Sequence, residues 1–436
     1  MYFKSKSALP AGPHSENDRE FVMGDSGRDV TNHGLYRSMR RTTSEATAID
    51  IFCGAGGLSS ALSESGWATY AAVDIDRDCL RSLEANQRKG FLRGTKLIHA
   101  DIAEVRASDL RPTASPDWRP DLLAGGPPCQ PFSSAGRMGG LNDPRGQLFT
   151  HFVRLAEELR PRFVLFENVA GLVTAKDQNG IAGGVLARIQ SSFEEIGYAC
   201  RFDLLNAADY GAPQRRVRLY MIAAYNEPLP QFPSRTHSKE GEGLPWVSLA
   251  SFLKTMPSPN AADIVRPPKS KATQLAELTP GTGLKSIGIV EANRPSGHWG
   301  YRQDSFLADL SIPSRTIRAA STPDWIRLPD DKDLRRLTWK ECAGLQAFPK
   351  EWEFVGTVAS KFRQIGNAVQ GNIGRALGAT LLQAAAGDKL VKTSSEPWPA
   401  SFRRRVRYTT MEEHVNGQVR RMAKESKNID RSSEMV

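Results

Sequence analysis

A short run of the chain, residues 122–133, combines an apolar strand pattern, two prolines and a cysteine. Residues 122–126 are apolar or glycine, which is typical of a buried strand. Pro127 and Pro128 then exclude a helix and place the following Cys129 on rigid, extended backbone. A thiol held at the carboxyl end of a strand is placed as a nucleophile would be, although a lone cysteine is more often a small buried core residue. The prolines on both sides of Cys129 favour its interpretation as a nucleophile, because a cysteine in the core needs no such rigid support.

A carboxylate and two arginines lie farther along the chain. Glu167 follows the apolar run 163–166, where a carboxylate is costly unless it is paired or functional. A helix-capping or surface role explains Glu167 equally well from the residues around it. Residues 214–220 alternate charge and bulk, which predicts one strand with a single polar face. Arg216 and Arg218 would then point the same way, toward the functional edge of the sheet.

Residues 50–59 predict a strand, a glycine loop and the start of a helix. The spacing is Gly-x-Gly-Gly, so the dinucleotide pattern Gly-x-Gly-x-x-Gly is not met and a nicotinamide enzyme is excluded. Asp74 ends the next predicted strand, where it could bind both ribose hydroxyls, and Asp101 ends the third, where it could accept from an adenine amino group. These strand ends outline a nucleoside-shaped ligand without a pyrophosphate. S-adenosylmethionine fits, because its charged sulfonium needs no phosphate site.

The elements that position these residues alternate along the first half of the chain. Helical stretches such as Leu148–Leu159, which has one apolar stripe and ends before Pro161, separate short apolar runs. This alternation predicts an α/β fold, with a doubly wound, mixed and mostly parallel sheet and a second, smaller, loop-rich domain. The predicted strands are residues 48–52, 69–73, 96–100, 122–124 and 163–166.

Composition favours a polyanionic partner and a reducing compartment. The 436 residues carry a formal net charge of +10 and five cysteines without a Cys-x-x-Cys pair. Neither a disulfide framework nor a structural zinc site is expected, and we expect no bound metal. No run reaches the ~18 apolar residues of a membrane span, and the N-terminus lacks a signal-peptide pattern. These features lead us to expect a cytoplasmic protein.

The chain divides into five predicted segments. Ten of its 27 prolines fall within residues 226–310, where periodicity is lost. The segments are a disordered extension (1–45), a catalytic and cofactor-binding domain (46–225), a small target-recognition domain (226–355), a C-terminal helix that rejoins the catalytic domain (356–388) and a flexible basic tail (389–436).

Several of these motifs resemble those of the cytosine carbon-5 DNA methyltransferases of bacterial restriction–modification or orphan type. Pro-Cys-Gln at 128–130 resembles the catalytic motif, Glu-Asn-Val at 167–169 a second, and Gln-x-Arg-x-Arg at 214–218 a third. Residues 50–59 resemble the first motif, 142–149 a helix start, 336–349 the ninth motif and 364–369 the tenth. The resemblance covers residues 46–385, and the middle domain matches only loosely.

The resemblance implies an S-adenosylmethionine-dependent DNA (cytosine-5-)-methyltransferase that flips its target base out of double-stranded DNA. Cys129 would add to carbon 6 and Glu167 would act at nitrogen 3. Arg216 and Arg218 would stabilise the catalytic loop and the bound base, so these four are the predicted catalytic residues. The predicted cofactor-binding residues are Phe52, Gly54, Ala55, Gly57, Asp74, Ile75, Asp101, Ile102, Pro128, Leu148, Asn367 and Val369.

This chain departs from the family pattern in two places. Gln370 replaces the usual proline, which we expect to loosen the cofactor wall, and Gly344 and Ala347 replace the usual arginine and glycine at the domain junction. Two other functions stay open: an RNA methyltransferase of the same family that acts on transfer RNA, and a non-catalytic DNA-binding relative. The Cys-Phe-Thr signature of the former is absent. The resemblance also implies a monomer in the bacterial cytoplasm that associates with the nucleoid through DNA, with a restriction endonuclease acting on the same target site as a candidate partner.

Overall fold

The computed structural model describes residues 45–115, 117–128, 148–181, 183–240, 243–284, 305–320, 322–328 and 334–387. The strands in these residues are β1 (Thr47–Ile51), β2 (Ala68–Asp74), β3 (Lys96–His99), β4 (Leu122–Gly125), β5 (Phe163–Val169), β6 (Tyr198–Asn206), β7 (Gln214–Arg215), β8 (Val217–Tyr225), β9 (His237–Ser238), β10 (Leu244–Pro245), β11 (Thr282–Gly283), β12 (Phe306–Leu307), β13 (Ser314–Arg315), β14 (Trp325–Arg327) and β15 (Leu334–Arg336). The helices are α1 (Gly57–Glu64), α2 (Arg77–Arg88), α3 (Leu148–Leu159), α4 (Gly184–Glu195), α5 (Leu249–Thr255), α6 (Lys269–Ala276), α7 (Trp339–Leu345), α8 (Val358–Asn367) and α9 (Gly371–Ala385).

A seven-stranded sheet organises the first half of the chain, in the order β3-β2-β1-β4-β5-β8-β6. Its neighbouring strands run parallel except at β8, which is antiparallel to both β5 and β6. All five predicted strands are present with shifts of one to three residues at their ends, and α3 has the predicted bounds. The prediction of a mixed, mostly parallel α/β sheet is confirmed.

Helices cover both faces of this sheet, as a doubly wound fold requires. On one face Phe152 of α3 packs against Phe166 of β5 and Phe193 of α4, with ring centroids 5.6 and 6.0 Å apart. On the other face α1 and α9 cover β1 and β4. These helices lie so close that a Cβ at Gly374 would be 2.7 Å from the Cβ of Ala61. Each fully buried phenylalanine stabilises the fold by roughly 1.5–3 kcal/mol.

A second sheet, in the order β11-β12-β14-β15, lies in the predicted target-recognition segment. It has a small core of its own that includes Leu275, Leu307 and Trp325. A larger cluster joins this segment to α2, because Leu249 and Ile326 share it with residues such as Leu83. The segment therefore packs against the catalytic part through a common apolar core, and its status as a separate domain stays a prediction. The predicted extension 1–45 and tail 389–436 lie outside the described residues, apart from Glu45.

Two predicted elements are interrupted in the structure. Residues 214–220 do not form one strand: β7 pairs with β13, Arg216 belongs to neither strand, and β8 begins at Val217 in the central sheet. The single C-terminal helix expected within 356–388 is also wrong, because α8 ends at Asn367 and α9 begins at Gly371. Both breaks lie at one buried contact, in which Arg216 donates to the carbonyls of Gly366 and Ala368 at 3.1 and 3.0 Å. Local periodicity carries no information about such a long-range contact.

Gln370, which we expected to loosen the cofactor wall, is instead held there by hydrogen bonds to α7 and α9. Its fully buried side chain caps α9, because Oε1 accepts from the backbone N–H groups of Asn372 and Ile373. Its Nε2 donates to the carbonyl of Leu345 at the end of α7. The amide thus provides helix capping and a link between helices that a proline side chain lacks.

The other departures have different consequences. Gly344 allows α5 to pack closely on α7, since a Cβ there would lie 2.8 Å from the ring of Phe252. Ala347 adopts a φ of 61°, in the left-handed region that glycine occupies without penalty. The usual glycine would therefore suit this backbone better than the alanine that this chain carries.

We predict that Ala347→Gly stabilises the protein by about 0.5–1 kcal/mol, because the left-handed strain that it removes exceeds the added freedom of the unfolded chain. Urea denaturation measures the change. The matched control is Ala343→Gly within α7, which should destabilise by about 1 kcal/mol because its backbone is helical. A similar loss of stability in both variants would contradict the strain at Ala347.

Candidate active site

The carboxyl edge of the central sheet gathers most of the predicted site residues. Asp74 ends β2, Asp101 follows β3, Pro128 follows β4, and Glu167 lies near the end of β5. Because β8 is antiparallel to β5, its first residues reach the same edge, and Arg218 pairs in register with Val169. Opposite chain directions therefore bring together a carboxylate and an arginine that are 51 positions apart in the sequence.

The glycine loop between β1 and α1 has the close packing that its residues imply. A Cβ at Gly56, whose φ is 86°, would lie 2.5 Å from a methyl carbon of Leu83. A Cβ at Gly57 would lie 2.9 Å from the carbonyl oxygen of Val369. The loop is thus enclosed by α2 on one side and by the α8–α9 break on the other, which brings the predicted cofactor residue Val369 against it.

The Asp74 carboxylate is fixed by this loop. It accepts from the backbone N–H of Gly54 at 2.7 Å and from that of Asp76 at 2.8 Å. Burial raises the pKa of Asp74 above its ordinary value, and these hydrogen bonds counteract the shift only in part. Two apolar side chains border the same edge: Ile75 is 65% exposed, and Phe52, with a φ of 58°, is half-buried. An acidic group beside uncovered apolar surface suits the ribose and base of a nucleoside.

The remaining predicted cofactor residues differ in their exposure. Asp101 is exposed and accepts from the backbone N–H of Ala103 at 3.0 Å. The side chain of Ile102 lies in the hydrophobic core at 4% exposure, so only its backbone can reach a ligand. Of the others, Pro128 and Asn367 are exposed, Gly54 and Leu148 are half-buried, and Ala55, Gly57 and Val369 are buried.

Glu167 and Arg218 form an ion pair, with 3.3 Å between Oε1 and Nε and side-chain exposures of 12% and 16%. Burial raises the pKa of Glu167, and the charges of Arg218 and then Arg216 counteract this shift in part. A Cβ at Gly126 would lie 2.9 Å from Glu167 Oε2, so the carboxylate lies directly beside the chain that leads from β4 to Cys129. Asn168 donates to the carbonyl of Pro127 at 3.2 Å and joins the two strand ends. Cys129 itself lies outside the described residues.

Arg216 is used differently from Arg218. It is 2% exposed, and its guanidinium donates to the carbonyls of Ile317, Gly366 and Ala368. Gln214 extends this contact by donating to the carbonyl of Leu345 and accepting from the N–H of Ile317. The arrangement joins β7, the residues that follow β13 and the α8–α9 break. Arg216 therefore positions the site, and its charge acts on Glu167 from a distance.

Asp50 is a candidate site residue that the sequence motifs did not single out. It is 0% exposed, and its Oδ2 accepts from the hydroxyl of Ser59 at 2.5 Å. Burial, with a smaller contribution from Asp74, raises the pKa of Asp50 from 3.8 to about 7. The available signal was a single aspartate inside an apolar strand pattern next to the glycine loop, because such a residue is costly without a partner.

Metal-binding groups and membrane-spanning helices are absent from the described residues. They contain no group of three or more histidine, cysteine, aspartate or glutamate side chains arranged to hold a metal ion. None of the described helices combines the length and apolar character needed to cross a membrane.

Comparison with known proteins agrees with the fold and the motifs. The fold is that of the methyltransferases: a crystal structure of the S. pombe Dnmt2 methyltransferase matches with a TM-score of 0.55 at 18% identity, covering 78% of this chain and 98% of that one. Residues 46–383 match the family of C-5 cytosine-specific DNA methylases, and the chain belongs to this family.

Two relatives can be aligned with more than three quarters of this chain. The Type II methyltransferase M.Eco47II of Escherichia coli is 30% identical over 356 residues, which is 77% of this chain and 78% of that protein. The Type II methyltransferase M.Sau96I of Staphylococcus aureus is 29% identical over 364 residues, 78% and 77% of the two chains. The chain is a DNA cytosine methyltransferase that modifies carbon 5.

We predict that Arg216→Lys mainly lowers stability and that Arg218→Lys mainly lowers the rate of methyl transfer. Lysine at 216 cannot reach three carbonyls, so stability should fall by roughly 2–4 kcal/mol. Lysine at 218 should change stability by less than about 1 kcal/mol but slow methyl transfer at least tenfold, because Glu167 loses its guanidinium partner. Thermal denaturation and initial rates on DNA measure both effects. Equal losses of stability would contradict the division of roles.

We predict that, in the absence of cofactor, Asp50→Asn becomes more stable than the wild type as the pH rises. Between pH 3.8 and about 7 the unfolded chain loses the Asp50 proton while the folded protein keeps it, so the wild type loses stability with rising pH. The difference of about three pKa units corresponds to on the order of 4 kcal/mol above pH 7. The melting temperatures should agree near pH 4 and separate by pH 8. Parallel pH profiles of the two proteins would show that Asp50 does not titrate in this range.

Proposed function

We propose that this DNA cytosine methyltransferase takes its methyl group from S-adenosylmethionine and activates the target base through a covalent bond to Cys129. The observation that carries the proposal is the Glu167–Arg218 ion pair, which lies beside Gly126, three residues before Cys129. The proposed catalytic carboxylate and the backbone that leads to the nucleophile thus lie side by side at the ends of the neighbouring strands β5 and β4.

The cofactor residues fit a nucleoside with a cationic substituent. Asp74, held by the N–H of Gly54, is suited to the ribose, and the exposed Ile75 and half-buried Phe52 are suited to the base. The glycine loop offers close backbone approach without the third glycine of a phosphate site. Asp50, whose Oδ1 has no hydrogen-bond partner among the described residues, adds a further acidic group beside the loop. When bound there, S-adenosylmethionine supplies an electrophilic methyl group for carbon 5 of cytosine.

The residues of this chain activate the base. Carbon 5 of cytosine is a poor nucleophile until a thiolate adds to carbon 6, and we assign that addition to Cys129. Glu167 provides a proton or a strong hydrogen bond at nitrogen 3, and its raised pKa favours the protonated form that such a donor needs. Arg218 orients Glu167 and is placed to hold the oxygen of the base. Loss of the carbon-5 proton then allows Cys129 to leave.

The substrate is double-stranded DNA, from which the cytosine must be flipped because neither face of a stacked base is accessible. The family match and relatives named as Type II methyltransferases favour DNA over transfer RNA and an enzyme over a non-catalytic relative. We propose a monomeric enzyme of a restriction–modification system in the bacterial cytoplasm, with a cognate endonuclease as partner. The small domain 226–355 is proposed to read the target sequence.

The covalent mechanism predicts a trapped complex with 5-fluorocytosine DNA. Fluorine at carbon 5 cannot leave as a cation, so methyl transfer should proceed and elimination of Cys129 should stall. A duplex pool with randomised flanks around 5-fluorocytosine should give a band shift on a denaturing gel only with S-adenosylmethionine. Cys129→Ser should abolish the adduct, because a hydroxyl is far less ionised than a thiol. Glu167→Gln should slow its formation at least about 100-fold.

Matched controls come from the same chain. Cys200→Ala in β6 and Glu157→Gln on the exposed face of α3 should both retain the adduct. Methylation by the wild type without any adduct would exclude the covalent mechanism. An adduct that survives Cys129→Ser would mean that another residue is the nucleophile. Trapping on a matched RNA pool instead of DNA would support the transfer-RNA alternative.

A further inference from the structure

The hydroxyl group of Tyr220 is buried in the central sheet without a hydrogen-bond partner among the described residues. Tyr220 lies in β8, is 1% exposed, and belongs to the core that α1 and α9 form on one face of the sheet. A buried hydroxyl that makes no hydrogen bond costs free energy, which a phenylalanine in the same space would avoid. Packing therefore explains the ring of Tyr220 but not its oxygen.

Tyr220 is the direct cross-strand neighbour of Glu167. The two residues pair in register between the antiparallel strands β5 and β8, so their side chains lie on the same face of the sheet. Cβ atoms of such a pair are about 4.5–5.5 Å apart. After burial, the charge of Glu167 has the largest effect on the pKa of the Tyr220 hydroxyl, ahead of Arg216 and Arg218. The hydroxyl is therefore within electrostatic reach of the proposed catalytic groups.

The Glu167 carboxylate has no close hydrogen-bond donor among the described residues. Its Oε1 lies 3.3 Å from Nε of Arg218, beyond the ~2.7–2.9 Å that is usual for a charge-assisted hydrogen bond. Arg218 Nη1 donates instead to the carbonyl of Val217 at 2.8 Å. A buried donor without an acceptor thus lies next to a buried carboxylate without a close donor, on one face of the sheet.

We propose that Tyr220 is a positioning residue, whose hydroxyl donates a hydrogen bond to the Glu167 carboxylate as Glu167 gives its proton to the base. This role rests on the proposed action of Glu167 at nitrogen 3. Rotation of the flexible Glu167 side chain brings the two groups into contact. Nitrogen 3 gains the proton that Glu167 loses, and Tyr220 keeps its own, so the hydroxyl stabilises the new carboxylate without changing its own charge.

The surroundings keep Tyr220 protonated and hence a donor. Burial and the negative charge of Glu167 both raise the pKa of the hydroxyl. Two further groups face Tyr220 from neighbouring elements. Asp203 pairs with it in register on β6, and the hydroxyl of Tyr210 donates to the carbonyl of Pro233 at 3.0 Å. Tyr210 therefore already has an acceptor of its own, whereas Tyr220 has none among the described residues.

Tyr220→Phe removes the hydroxyl and keeps the ring. The rate of methyl transfer from S-adenosylmethionine to unmethylated, PCR-amplified DNA of mixed sequence should fall roughly tenfold or more, as for a lost hydrogen bond to a charged group. The melting temperature should stay the same or rise, and the affinity for S-adenosylmethionine should not change. The wild-type rate should fall with rising pH as Glu167 loses its proton. Without the Tyr220 donor the carboxylate is less stable, so this fall should move to higher pH by about half a pH unit or more.

Two comparisons separate positioning from packing. Tyr198→Phe is the matched control, because Tyr198 is also buried, in β6, but its hydroxyl donates to the carbonyl of Pro161 at 2.9 Å. This variant should lower the melting temperature and leave the pH profile of the rate unchanged. In a Glu167→Gln background, Tyr220→Phe should change the rate by less than about twofold, because no carboxylate remains for the hydroxyl to stabilise.

Tyr220 is not a positioning residue if Tyr220→Phe keeps the wild-type rate or the wild-type pH profile. The same conclusion follows if this variant loses stability as Tyr198→Phe does, since the hydroxyl would then have a structural partner. Equal slowing with and without Glu167→Gln would also contradict the proposed role. Full activity of Glu167→Gln alone would instead overturn the action of Glu167 at nitrogen 3, and the role of Tyr220 with it.

Discussion

The buried guanidinium of Arg216 is the contact on which the arrangement of the site depends. Three carbonyl groups from two distant parts of the chain, at Ile317 and at the α8–α9 break, accept its hydrogen bonds. It interrupts the strand pattern of residues 214–220 and ends α8, so that Val369 is brought against the glycine loop. Arg218, two residues later, is left to hold Glu167. Arg216 therefore holds the framework together, and Arg218 contacts the carboxylate of Glu167.

The site concentrates acidic groups in places where water cannot stabilise them. Burial raises the pKa of Asp50, Asp74 and Glu167. Among the described residues, an arginine directly contacts Glu167 alone of these three; Asp74 accepts from backbone N–H groups and Asp50 from Ser59. A fold selected for stability alone would avoid such groups, because unpaired buried charge is costly. Their concentration at one sheet edge is typical of a functional site, where burial shifts pKa values.

The departures of this chain from its family's pattern act on local packing and backbone conformation. Gly344 makes room for the ring of Phe252, and Gln370 replaces a proline with a side chain that caps α9 and reaches α7. Ala347 alone is at odds with its backbone, in a conformation that glycine would adopt freely. All three lie where the small segment, the α8–α9 break and the sheet meet, so they affect how the two parts join.

Much of the fold was determined by the sequence itself. Apolar runs that alternate with amphipathic helical stretches predicted five strands and α3 closely, because local burial on both faces of a parallel sheet sets that pattern. The motifs identified the family. The pairing of Glu167 with Arg218, the division of roles between Arg216 and Arg218, and the use of Gln370 depended on the tertiary structure. Each arises from contacts between residues far apart in the chain, and local periodicity does not encode those contacts. The full burial of Asp50 was hidden for the same reason, since it arises only once β1, α1 and the loop enclose this side chain.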